Sequence, residues 1–88
     1  MKSFLFFLFA FSNSFTPVLS QSTLLESVKK NPNEANNLCN KFREFNSKGI
    51  SASADKAIEY VSNTKKLTPV NAEIFSIYVI GLHCPEII

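Results

Sequence analysis

The chain has 88 residues, nine Lys+Arg against seven Asp+Glu, and a formal net charge of +2. That length allows one domain, and the near-neutral balance builds no field strong enough to gather nucleic acid. Two Gly and four Pro exclude a collagenous or low-complexity chain, and 45% hydrophobic residues exclude full disorder.

The chain opens with a positive start, Met1-Lys2-Ser3, followed by an uninterrupted apolar run from Phe4 to Phe11. Ser12, Asn13 and Ser14 end that run, and Pro17 precedes Val18-Leu19-Ser20. Val18 and Ser20 suit the two recognition positions of a signal peptidase. A positive end, an apolar block and a small-residue site predict a secretory signal peptide over 1–20, cleaved between Ser20 and Gln21, with a small helical domain over 21–88. The apolar run as a helix rises about 12 Å against a hydrocarbon core of about 30 Å, so it is too short to remain as an anchor. Loss of Lys2 leaves eight basic against seven acidic residues.

Ser22 is placed to cap a short helix through Lys30, with Leu24, Leu25 and Val28 as its apolar stripe. Lys29 and Lys30 stand where a helix dipole favours cations. Asn31-Pro32 predicts the next start, Asn31 as cap and Pro32 at the first helical position. This second helix is expected to reach Asn46, with Ala35, Leu38, Cys39, Phe42 and Phe45 recurring at three- and four-residue steps. Gly49 is the expected left-handed stop. Ser51 or Ser53 should open a third helix, 54–63, buried along Ala54, Ala57, Ile58 and Val61. Thr68-Pro69 repeats the cap-plus-proline signal for a last helix ending near His83. On that helix Val70, Ile74, Ile77, Tyr78 and Leu82 form one apolar face, and Phe75, Val79 and Ile80 widen it almost all round. Such a helix is expected at the centre of a bundle. Its unbroken apolar stretch is too short to span a membrane. No segment alternates with period two. The fold class is therefore all-α, a small bundle of three to four helices.

Cys39 falls on the apolar stripe of the second helix and Cys84 closes the last one. In an exported chain two such cysteines read as one disulfide. Closing a loop of about 46 residues stabilises by about 4 kcal/mol on the chain-entropy account. Two other readings stay open at this point. The cysteines can be free buried thiols, or part of a metal or redox centre. Cys39, Cys84 and His83 give a zinc ion three ligands where four are wanted, and there is no C-x-x-C pair.

Cys39, Phe42, Gly49-Ile50-Ser51, Leu67-Thr68, Ala72, Tyr78 and Cys84-Pro85 together resemble the small exported bacterial family called domain of unknown function 732. The likeness runs over about residues 35–85. It implies a helical fold with the two cysteines bridged, and no activity. The chain departs from the family in lacking Gln before Ala72, in the nine residues between Cys39 and Gly49, and in an apolar start reduced to Leu24-Leu25. The closing Gly-Leu-His-Cys-Pro text is similar also to a related uncharacterised secreted family ending in Cys-Pro.

No catalytic constellation is expected. A nucleophile needs a neighbouring base, and the one His, His83, adjoins a cysteine assigned to the disulfide. Its expected place is a helix carboxyl end, where a cation suits the free carbonyls. Asp55 and Glu59 read as ordinary charged surface, and Glu73 as an acidic residue near a helix start. No phosphate loop, zinc motif or calcium loop is present, so no cofactor or metal is expected. Lys29-Lys30 and Lys65-Lys66 also match dibasic processing sites of a secreted precursor. Tyr60 on the third helix is a candidate exposed aromatic, although burial is the commoner place for a tyrosine at such a position. These residues predict a secreted or periplasmic, monomeric, non-enzymatic binding or accessory module. Its partner is an unknown protein or small ligand. It binds no nucleic acid and keeps no membrane span once its leader is cut. The alternative is a secreted effector, inhibitor or signalling peptide. A membrane-surface role for the apolar last helix is a further class.

Overall fold

Pro32 and Pro69 each stand at a first helical position and divide the chain into segments that can bury apolar stripes only against one another. The computed structural model describes residues 21–88. It contains α1 (Gln21–Lys30), α2 (Pro32–Ser47), α3 (Asp55–Lys65) and α4 (Pro69–His83), with no strand among the described residues. The expected signal peptide and the Ser20 side of the expected cleavage point lie outside the described residues.

The core is the set of stripes brought together. Leu24 and Val28 of α1, and Ala35, Leu38, Cys39, Phe42 and Phe45 of α2, meet Ala57 and Val61 of α3. Ala72, Phe75 and Val79 of α4 complete it, with Cys84 just beyond. Leu25, expected on the α1 stripe, is half-buried. Phe42 is fully enclosed, and burial of a side chain that size contributes about 3 kcal/mol. α4 packs against all three other helices, as a central helix should.

Cys39 and Cys84 form a disulfide, with an S–S distance of 2.02 Å and Cα atoms 6.0 Å apart. Both are buried. The bridge therefore joins α2 to the end of α4 inside the core. No free cysteine remains among the described residues, which sets aside the free-thiol and metal readings of these two.

Several ends differ from expectation. Asn31 was expected to cap α2, but its side chain donates to Ser27 O (2.8 Å) and closes the end of α1 instead. With α1 ending one residue before α2 begins, the carbonyls of α1 lie within closer reach than the amides of α2. α2 runs one residue past Asn46, to Ser47, and Gly49 turns the chain with φ 79° as expected. α3 starts at Asp55 rather than Ala54, which caps it from an extended conformation without a side-chain bond, and ends at Lys65, beyond Asn63. The serines expected to open it are engaged elsewhere. Ser51 Oγ accepts from Ser53 N (3.1 Å) and donates to Ile88 O (3.1 Å). Thr68 caps α4 as expected, its hydroxyl oxygen accepting from Asn71 N (3.2 Å).

Lys66 ends α3 with φ 57°, a left-handed conformation, and Ser62 Oγ bonds Leu67 O beside it. A side chain in that region costs about 1 kcal/mol or more relative to glycine. Lys66→Gly is expected to raise the unfolding free energy by about 0.5–1 kcal/mol in chemical denaturation, after allowing for the greater freedom of the unfolded chain. An unchanged or lowered midpoint would show that the turn is not strained.

Candidate functional site

Three residues connect α3 to α4, so the two helices run antiparallel as neighbours. Which side of α4 faces the core is decided by size rather than by hydrophobicity. Its buried line is Asn71, Ala72, Phe75, Ser76 and Val79. Ala72 and Ser76 are small enough for a neighbouring helix to approach closely, and Phe75 is buried beside them. Ser76 meets the requirement for a buried hydroxyl by donating to Ala72 O (2.9 Å).

This corrects the expected core face of the last helix. Val70 and Ile77 are 66% and 59% exposed, Leu82 is exposed, and Ile74 and Tyr78 are only half-buried. The neighbouring helices cover the side of α4 that carries Ala72, Phe75 and Val79 and leave the side of Val70 and Ile77 exposed. A helix that is apolar all round therefore leaves one apolar side in water. Positions 70, 73, 74, 77, 80 and 81 follow at three- and four-residue steps along the outer side of α4. All are apolar or glycine except Glu73.

Beside this line the surface is concave. One hollow of about 130 Å³ lies between α4, the turn before α3 and the end of the described chain, lined by Ala52, Ile77, Ile80 and Ile88. Ser53, Glu73 and Ser76 complete its lining. A second, of about 380 Å³, lies between α3 and the start of α4, lined by Asp55, Ile58, Glu59, Ser62 and Pro69. A third hollow flanks Ile88 on its other side, beside Ile50.

Ile88 is held where it helps to form the first hollow. Its amide donates to Asn46 Oδ1 (3.0 Å), and its carbonyl accepts from Ala52 N (3.0 Å). Asn46 Nδ2 donates in turn to Ile50 O (2.9 Å). Arg43 on α2 pairs with Glu86 at 2.8 Å. The backbone amide of Glu86 and then Arg43 hold its carboxyl below the usual carboxylate range. Glu44 is likewise lowered, first by its hydrogen bond with Lys41. Both carboxylates are exposed, so these pairs position side chains rather than stabilise the fold much.

The other residues singled out in the sequence fall away from this face. Tyr60 is half-buried and packs edge-on to Phe45, ring centres 6.0 Å apart, under the Lys41 ammonium. Lys65 pairs with Glu34 and lies 5.6 Å from the Phe75 ring centre. His83 is the last residue of α4 and half-buried. Its neighbouring sulfur is in the disulfide. Asp55 and Glu59 are exposed, as expected of surface carboxylates, but both line a hollow. Sequence reasoning missed Ala52, Asn46 and Ile88. Their roles come from contacts across the fold, for which no local pattern exists.

Gly81 ends the outer line. A Cβ built there meets nothing within 4 Å, so internal packing has no need of glycine, which costs a helix interior about 1 kcal/mol relative to alanine. Gly81→Ala is expected to raise the unfolding free energy by about that amount. A loss of stability would reveal a constraint within the fold.

The model of a family described as Domain of unknown function (DUF8664) matches residues 25–84. Those bounds take in most of α1, the disulfide and the whole of α4. Nothing in the match links the chain to domain of unknown function 732, so that resemblance rests on its residues alone. No curated protein and no solved structure matches the chain.

Proposed function

We propose that this chain, which belongs to the Domain of unknown function (DUF8664) family, is an exported, non-enzymatic binding or accessory module that docks a partner protein on the outer side of α4. The observation that carries this reading is the apolar outer side of α4, where Val70 and Ile77 are exposed and Ile74 and Ile80 are half-buried beside them, on a bundle whose core is already complete without it. Contiguous exposed apolar surface of this kind marks interaction sites. Val70, Ile74 and Gly81 continue this side past the residues that border the hollows, which suits a macromolecular surface better than a small ligand. Export is supported by the disulfide, a bond that persists in oxidising compartments, and by the leader-like pattern of residues 1–20. No helix among the described residues is long and apolar enough to cross a membrane. A non-enzymatic role is supported at His83, whose adjacent sulfur is held in the bridge and is no nucleophile.

The test is site-specific photo-crosslinking in the native host. A photoreactive residue at Ile77 is expected to capture a discrete partner, and the same residue at Asn37, exposed on α2, is not. Ile77→Asp placed beside a photoreactive Val70 should abolish the crosslink while leaving the melting temperature within about 4 °C, because an exposed substitution changes stability by about 0.5 kcal/mol or less. Equal crosslinking from both faces, or none from position 77, would remove the reading.

A further inference from the structure

We infer that the partner segment is cationic and amphipathic, a short basic stretch that carries aliphatic side chains. This rests on the docking reading above and adds the chemistry of what docks. Because α3 and α4 are antiparallel, the two larger-scale features of their shared outer seam can be followed position by position. One wall is Ser62, Glu59, Ile58, Asp55 and Ser53. The other, running the opposite way, is Pro69, Glu73, Ile77 and Ile80. The 380 Å³ hollow is lined along α3 from Asp55 to Ser62 and by Pro69, and the 130 Å³ hollow along α4 from Glu73 to Ile80 and by Ala52, Ser53 and Ile88. Glu73 falls one helical turn after Pro69 and one before Ile77, so it stands between them, on the same stretch as Asp55 and Glu59.

Carboxylates therefore stand beside apolar side chains in both hollows: Glu73 with Ile77, Ile80 and Ile88 in the smaller, and Asp55 and Glu59 with Ile58 in the larger. No lysine or arginine lines either hollow. Lys56 follows Asp55 on α3 and lines neither hollow. The ion pairs among the described residues engage Glu34, Glu44 and Glu86, and none engages Asp55, Glu59 or Glu73. The chain is otherwise slightly basic, so this seam is a local reversal of sign. Like-charged groups that lack counter-charges beside apolar side chains select a partner of the opposite charge and repel one of the same sign. From Pro69 to Ile80 α4 rises about 16 Å, the length of about five extended residues. That matches a peptide segment. An anionic membrane surface is disfavoured by the same carboxylates.

The experiment titrates the oxidised protein with fluorescein-labelled amphipathic peptides, read by anisotropy. One carries Leu on one face and Lys on the other, a second has every Lys replaced by Gln, and a third has every Lys replaced by Glu. The Leu/Lys peptide is expected to bind about tenfold more tightly than the Leu/Gln peptide, the advantage shrinking as salt is raised. The Leu/Glu peptide is expected to bind most weakly. Glu59→Lys combined with Glu73→Lys should invert that order, and Ile77→Asp should weaken all three. The inference is overturned if the Leu/Gln peptide binds as well as Leu/Lys. It is overturned also if the double charge reversal leaves the order unchanged, or if the protein floats with anionic vesicles. In each case a position-77 crosslink would still stand, and the docking face with it. Absence of both peptide binding and the crosslink would remove the two together.

Discussion

Opening the Cys39–Cys84 bridge is expected to lower the unfolding free energy by about 4 kcal/mol, and replacing both cysteines by Ala to lower it further. The two residues lie 45 apart in the chain, and the crosslink removes the many unfolded conformations in which they are distant. Domains are stable by about 0.05–0.15 kcal/mol per residue, so for a body of this size the loss approaches the whole. The bond also joins the two helices with the longest buried stripes, and both sulfurs are buried, so the variant loses packing as well. Denaturant titration of oxidised protein, reduced protein and the double variant separates the two effects. The crosslink contribution is the gap between oxidised and reduced protein, and the packing contribution is the gap between reduced protein and variant. A reduced protein within about 1 kcal/mol of the oxidised one would mean that the helices hold without the staple.

Phe42→Ala is expected to cost about 3–5 kcal/mol. Phe42 has no solvent exposure and occupies the middle of the α2 stripe, between Leu38 and Phe45. So small a core has few further layers that can collapse into the space. Phe42→Leu, which retains most of the volume, is expected to cost roughly 1.5 kcal/mol or less. Val70→Ala, at a position two-thirds exposed, should change stability by less than about 0.5 kcal/mol. That contrast checks the assignment of faces. Comparable losses at Phe42 and Val70 in urea titration would mean that α4 is rotated from the orientation described.

The comparison of these residues also shows what could be read before folding. On α2 one stripe is apolar and its opposite polar, so Ala35, Leu38, Cys39, Phe42 and Phe45 declared their side unambiguously. Thr68 and Pro69 located a helix start because a hydroxyl acceptor and a missing amide both serve the first turn. α4 gave no such direction. Large apolar residues occupy nearly every side of it, and periodicity cannot select a face that lacks a polar opposite. The buried side went to Ala72 and Ser76, where close approach is possible, and the larger Val70 and Ile77 were turned outward. The candidate site was illegible for the same reason: its residues had been assigned to the core. Asp55, Glu59 and Glu73 were visible as charges, but their gathering along one seam depends on the antiparallel pairing of α3 and α4. The position of Ile88 depends on Asn46 and Ala52, more than thirty residues away in sequence, and on bonds to backbone groups that any residue possesses.

The assignment of this chain as an exported bundle closed by one covalent crosslink is tested most directly by intact mass spectrometry of the native protein, alkylated with and without prior reduction. The account predicts an amino terminus at Gln21, no alkylation before reduction, and two alkylated cysteines after it. A full-length chain beginning at Met1 whose Cys39 and Cys84 react at once, without reductant, would contradict it.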